Sequence, residues 1–112
     1  MHRQNDEMVF EVLHLFCGSG GAALGMQQSA HQYKGLNGRF HTVLGIDNDP
    51  YCCTDFERLT GSPAACMNLF SREQYIDFHG KQPSEDWREV APSDIRQACR
   101  NIYPDVVFLS PP

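Results

Sequence analysis

A chain of 112 residues with 41% hydrophobic content lies in the size range of one domain with one core and is too short for two. Its net charge of −5 argues against a broad basic nucleic-acid surface within these residues, and no apolar stretch is long enough to span a membrane. Five cysteines without a CxxC pair or a secretory leader suit a reduced cytoplasmic setting, and the five histidines show no zinc-ligand spacing.

The polar start, MHRQNDEM at residues 1–8, has the composition of a flexible terminus, and the domain proper is expected over 9–112. Val9 to Phe16 is rich in β-branched and aromatic residues and runs into CGSGG, the pattern of a buried strand entering a glycine turn. Ala22, Met26 and Ala30 recur every fourth residue, with Tyr33 beyond them, which predicts one face of a helix. KGLNGR then has loop composition, and residues 41–47, HTVLGID, form a second apolar run ending on an acid. Asp49 before Pro50 is a capping residue ahead of a first-turn proline, with Cys52, Phe56 and Leu59 at helical spacing up to Gly61.

Ala64 to Phe70 is a candidate third strand, and Ser71 with Gln74 makes a capping-box pattern before a short helix ending at Gly80. Ser93 is expected to cap a further helix carrying Ile95, Cys99 and Ile102, and Asp105 to Leu109 is a fourth strand. Strands alternating with helices imply an α/β fold with a parallel sheet whose ligands bind at the carboxyl ends of the strands. The glycine turn, Asp47 and the Ser110-Pro111-Pro112 turn all fall at that edge.

Each feature has a plain structural reading beside a functional one. The turn Phe16-Cys17-Gly18-Ser19-Gly20-Gly21 admits a ligand close to the backbone, because glycine lacks a Cβ and tolerates positive φ, yet it also suits a bare strand-to-helix turn. Its spacing is GxGG, which departs from the GxGxxG of nicotinamide-binding domains. Asp47 is placed to accept both hydroxyls of a ribose, or else to favour the dipole of the next helix. Asp49 fills the capping role better, which leaves Asp47 free and puts Asn48 beside it near a base. Cys52, Cys53, Cys66 and Cys99 fit core packing better than metal or redox chemistry, and His14 fits a satisfied core group.

Three stretches together resemble the DNA cytosine-5 methyltransferases: LHLFCGSGGAALGM over 13–26, GIDNDPYCCTDF over 45–56, and PDVVFLSPP over 104–112. The resemblance runs from Val9 onward and implies a partial Rossmann-like class I methyltransferase sheet that binds S-adenosylmethionine and its product S-adenosylhomocysteine. By position it places Phe16 against the adenosine, and Cys17, Gly18, Ser19, Gly20 and Gly21 around the methionine part. Asp47 would hold the ribose, a shorter reach than the family's usual glutamate, and Asn48 would lie against the adenine. His14 stands where the family commonly has an acid. For the group that receives the adenine's amino group, Asn68 and Asp94 compete equally.

In such enzymes a cytosine is flipped from double-stranded DNA, a cysteine thiolate attacks carbon 6, and carbon 5 takes the methyl group. The family places that cysteine directly after the Pro-Pro pair, so Pro112 would stand beside the sulfonium. The chain as given is therefore expected to hold the donor and to be inactive alone, with DNA contacts lying beyond it. An unfinished sheet edge is expected to favour self-association. Exocyclic-amino DNA methyltransferases are the main rival, since SPP followed by an aromatic marks them. A non-catalytic cofactor-binding module is the other alternative. The resemblance implies a cytoplasmic enzyme of bacterial or phage type.

Overall fold

Two long strands, β2 (Glu7–Leu15) and β4 (Leu36–Asp47), run side by side in parallel through the middle of the molecule. The computed structural model describes residues 1–4 and 6–111, with the side chain of residue 4 outside the description. Each long strand carries a short antiparallel partner at its amino end and a short parallel partner at its carboxyl end. Beside β2 these are β1 (His2–Gln4) and β6 (Val106–Leu109); beside β4 they are β3 (His31–Tyr33) and β5 (Ala64–Cys66). The result is a mixed six-stranded sheet, where the alternating pattern led to the expectation of a wholly parallel one.

The antiparallel additions come from two stretches whose composition gave no strand signal. Residues 1–8, expected as a flexible end, supply β1, which pairs His2 to Gln4 with Glu7 to Val9. KGLNGR, expected as a loop, instead closes a tight hairpin. Lys34 at φ 49° and Gly35 at φ 79° make the turn, and β4 starts at Leu36 rather than at His41. Two successive residues with positive φ match the twist of a two-residue hairpin. The first helix is shortened accordingly: α1 spans Gly21–Gln28, and Ala30 and Tyr33 lie outside it, both exposed.

Between the parallel strands lie α1, α2 (Pro50–Thr60), α3 (Arg72–His79) and α4 (Pro92–Ala98). Two caps predicted from sequence are present: Asp49 accepts from Tyr51 N at 2.9 Å, and Ser71 exchanges bonds with Gln74 at 3.1 and 2.9 Å. The third is displaced. α4 begins at Pro92, before Ser93, and Asp94 accepts the Ala91 N–H at 2.8 Å from inside the first turn. On α1 Ala23 rather than Ala22 is buried, one residue off the predicted face; on α2 Phe56 and Cys53 are buried as expected, Cys52 is half-buried and Leu59 is exposed. The third strand also ends early, at Cys66.

Helices cover both faces of the carboxyl half of the sheet. On one face Leu13, Leu44 and Ile46 pack with Cys99, Ile95 and Ile102 from α4 and the segment after it. On the other, Phe56 of α2 is fully buried beside Gly45 and His14. A Cβ at Gly45 would lie 2.6–2.8 Å from the Phe56 ring, so the aromatic takes the space that any other residue in this strand would fill. The molecule measures 56 × 24 × 19 Å with a radius of gyration of 16.1 Å. A globular chain of this length averages about 13 Å. The excess length follows from extending β2 and β4 past the helices into the hairpin end.

Candidate functional site at the carboxyl edge of the sheet

β2 ends at Leu15, and the chain turns sharply through Phe16 at φ 55°, Gly18 at φ 56° and Gly20 at φ 100° before α1 begins. An aromatic residue held at positive φ is uncommon and costs on the order of 1–3 kcal/mol. Phe16 keeps this conformation with 36% of its surface exposed, a large share for an aromatic residue. The turn is clamped from β4: Cys17 N donates to Ile46 O at 3.0 Å and Gly18 N donates to Asp47 Oδ2 at 3.0 Å.

The glycines of the turn fall into two kinds. A Cβ at Gly20 would approach Thr60 Cγ2 at 3.0 Å and Phe56 Cδ2 at 3.1 Å, so Gly20 is needed for packing against α2. At Gly18 and Gly21 a Cβ would meet nothing within 4 Å. Gly21 also has an ordinary φ, so no protein contact or backbone strain calls for glycine there. Open space above a bare backbone, next to a helix start with no side-chain cap, is a place where a ligand can approach the amides.

A cleft of about 220 Å³ opens beside this turn. Phe16, Asp47, Asn48 and Asn68, all singled out from sequence, line it together. Asp47 accepts from Gly18 N through one oxygen and from Asp49 N at 3.0 Å through the other. It is therefore engaged rather than free, although each carboxylate oxygen retains one acceptor position. Asn68 turns its Oδ1 to the Phe70 N–H at 2.9 Å, which leaves its amide nitrogen as the group to offer a ligand. Ile46, Met67, Leu69, Phe70 and Gln74 complete the wall. No motif marks them for function: Met67, Leu69 and Phe70 read as part of an apolar strand, Ile46 as strand core and Gln74 as a helix cap. Their only signals were closeness to Asn68 and the capping box that fixes Gln74.

Asp94, the rival to Asn68, does not line the cleft. Its oxygens are paired with Arg88 at 3.0 and 3.2 Å and with Ala91 N, and these bonds hold its carboxyl below the usual range. Cys17, Ser19, Gly20 and Gly21 belong to the turn, with Ser19 exposed and Cys17 half-buried. Pro112 lies outside the described residues.

Cys17 and Cys53, near the cleft, are not poised as nucleophiles. Burial, with the negative charge of Asp47 and then Cys53, pushes Cys17 up to about 12. Burial and the neighbouring Cys66 push Cys53 up to about 11. A thiolate is the reacting form, and at neutral pH both groups are protonated. His14 is buried between the Phe56 and Phe108 rings, whose centroids lie 6.3 and 5.7 Å away. It is not the satisfied core group expected from sequence, for its Nε2 has no hydrogen-bond partner among the described residues. Burial lowers its pKa and keeps it neutral.

Comparison with known proteins finds no matching family model, no matching curated protein and no matching solved structure. Among the described residues no helix is long and apolar enough to cross a membrane.

Proposed function

We propose that these residues form the S-adenosylmethionine-binding part of a DNA cytosine-5 methyltransferase. The observation that carries the reading is Phe16: a strained, exposed aromatic lining a cleft whose polar walls include Asp47, Asn48 and Asn68. Across the sheet the four parallel strands run β5, β4, β2, β6. Among these four the chain order is third, second, first, fourth, an order that suits the proposed class I methyltransferase sheet although the whole sheet is mixed. In such sheets ligands bind outside the carboxyl ends, where the cleft lies.

The residues suit the donor group by group. Phe16 offers a ring face to the adenine, and the Asn68 amide nitrogen offers a donor to its edge. The spare acceptor positions of Asp47 suit the two ribose hydroxyls, while the open backbone at Gly18 and Gly21 leaves room for the methionine part. When bound, the donor supplies an electrophilic methyl group on a sulfonium. The chain's own work is to orient it: Asp47 ties the glycine turn to the end of β4, so the walls on either side of the ribose keep one spacing. Attack on the flipped base falls to a cysteine that the family's pattern puts directly after Pro112. Cys17 and Cys53, held protonated by burial, do not substitute for it.

The test is calorimetric titration of the folded chain with S-adenosylhomocysteine, and in parallel with NAD. Heat is expected with the former and none with the latter. Asp47→Asn is expected to weaken binding by about tenfold or more, the worth of a hydrogen bond to a charged group. A folded sample that gives no heat with S-adenosylhomocysteine overturns the reading.

A further inference from the structure

Two thiols lie at the carboxyl end of β4. Cys53 lies in the first turns of α2 and is buried, while Cys66 ends β5 and is exposed. Asp47 is the sheet partner of Cys66, and it stands between the two cysteines in a second sense, because their hydrogen bonds end on adjacent carbonyls. Cys53 Sγ donates to Asp47 O at 3.5 Å, and Cys66 Sγ donates to Asn48 O at 3.5 Å. The Cys66 thiol is also near enough to Cys53 to push the Cys53 thiol up. Core packing alone asks for one small apolar side chain from α2. It does not ask for a second sulfur at an exposed strand end.

We infer that Cys53 and Cys66 are a redox-modification site, closing to a disulfide on exposure to a low-molecular-weight disulfide. The order of events follows from access. The exposed Cys66 thiolate attacks one sulfur of the reagent, forming a mixed disulfide and expelling one thiolate. Cys53 then loses its proton to solvent and attacks Cys66 Sγ, expelling the second thiolate, which is protonated. Both cysteines are oxidised by two electrons in total, and the reagent disulfide is reduced to two thiols. Burial keeps Cys53 protonated, so this second step is the slow one, and the mixed disulfide at Cys66 accumulates first and then resolves.

The cross-link has a structural consequence. Asp47 and Asn48 on one side, and Met67 and Asn68 directly after Cys66, are walls of the cleft. Met67 N already donates to Asp47 O at 3.0 Å, so the disulfide adds a covalent tie where the sheet ladder ends. It also removes the S–H donors that the Asp47 and Asn48 carbonyls now receive. The modification site does not depend on what the cleft binds.

The experiment is to incubate the full 112-residue chain with oxidised glutathione and follow free thiols and mass. The wild type is expected to lose a pair of thiols and the mass of two hydrogens, with peptide mapping joining Cys53 to Cys66 and dithiothreitol reversing the change. Cys53→Ser is expected to stop at a stable glutathione adduct on Cys66, and Cys66→Ser to show no cross-link. Circular dichroism establishes that each variant is folded. A stable adduct on Cys66 in the wild type, a cross-link joining another pair, or no reaction at Cys66 overturns the inference.

Discussion

The two ends of the β2–β4 ribbon are built from the same two strands and differ in almost everything else. At the amino end the neighbours arrive by tight turns and run antiparallel, and polar side chains link the strands: Arg39 pairs with Glu7 at 2.7 Å, and Glu11 accepts from both His2 and His41 at 2.8 and 2.6 Å. At the carboxyl end the neighbours arrive by helical crossovers and run parallel, so helices pack on both faces and the strands end together at an open edge. A hairpin closes the end of a strand, whereas a crossover leaves it open. The cleft with converging polar groups is at the crossover end. The groove at the hairpin end, lined by Met8, Phe10, Tyr33 and Leu36, is nearly all apolar.

The largest expected effect sharpens this contrast in stability. Phe56 is fully buried, fills the space over Gly45 and backs Gly20. Phe56→Ala is expected to cost about 3–5 kcal/mol, enough to unfold a marginal domain. Phe10 is half-buried, and its main ring neighbour is Phe40 at 5.9 Å. Phe10→Ala is expected to cost about 1 kcal/mol, in keeping with partial burial. Urea unfolding of the two variants measures the difference. Equal losses would mean that the hairpin end carries as much of the fold as the helix-covered end.

A smaller effect separates the two candidates for the adenine contact. In the proposed donor site Asn68 lines the cleft and Asp94 holds the start of α4. Asn68→Ala is expected to weaken S-adenosylhomocysteine several-fold with little change in the unfolding midpoint. Asp94→Ala is expected to do the reverse, lowering the midpoint and leaving the affinity unchanged. Titration and unfolding of each variant form a double dissociation, and a loss of affinity in Asp94→Ala would return that residue to the site.

What was legible in the sequence follows the same division. The carboxyl end could be read because its signals are local. Asp49-Pro50 and Ser71 with Gln74 cap helices by contacts within one turn, and a strand running into CGSGG needs positive φ that glycine supplies. Asn68 and Asp94 could not be separated, since Asp94 is drawn into a cap by Arg88 and Ala91, contacts that no motif marks. The amino end was illegible for a related reason. Its hairpin places Lys34 at φ 49°, where asparagine would have advertised the turn, and β1 is polar because it pairs through His2 and Glu11 rather than through apolar packing. The cysteines divide: Cys53 is buried and Cys52 half-buried, in keeping with core packing, while the early end of β5 exposes Cys66.

The smallest effect is a pH dependence in which the two ends fail in different windows. His14, at the carboxyl end, has its pKa lowered below 6.5 by burial, so below that value the unfolded chain takes up a proton that the folded chain refuses. Stability is then complete above 6.5 and declines as the pH falls through it. Glu11, at the amino end, is pushed up by burial but pulled down further by the bonds and charges of His41 and His2, and its pKa ends below 4.5. Its contribution is present above 4.5 and is lost as the pH falls through the depressed folded value. Acid therefore weakens the helix-covered end first and the hairpin end second. His14→Leu is expected to flatten the decline just below 6.5 and to leave the later one. Glu11→Gln is expected to lower stability at neutral pH and to remove the later decline. Unfolding midpoints measured from about pH 7.5 to about pH 3.5 separate the two. A wild-type midpoint that stays level from neutral pH down to 4.5 would mean that His14 accepts a proton within the fold, and would remove the distinction between the ends.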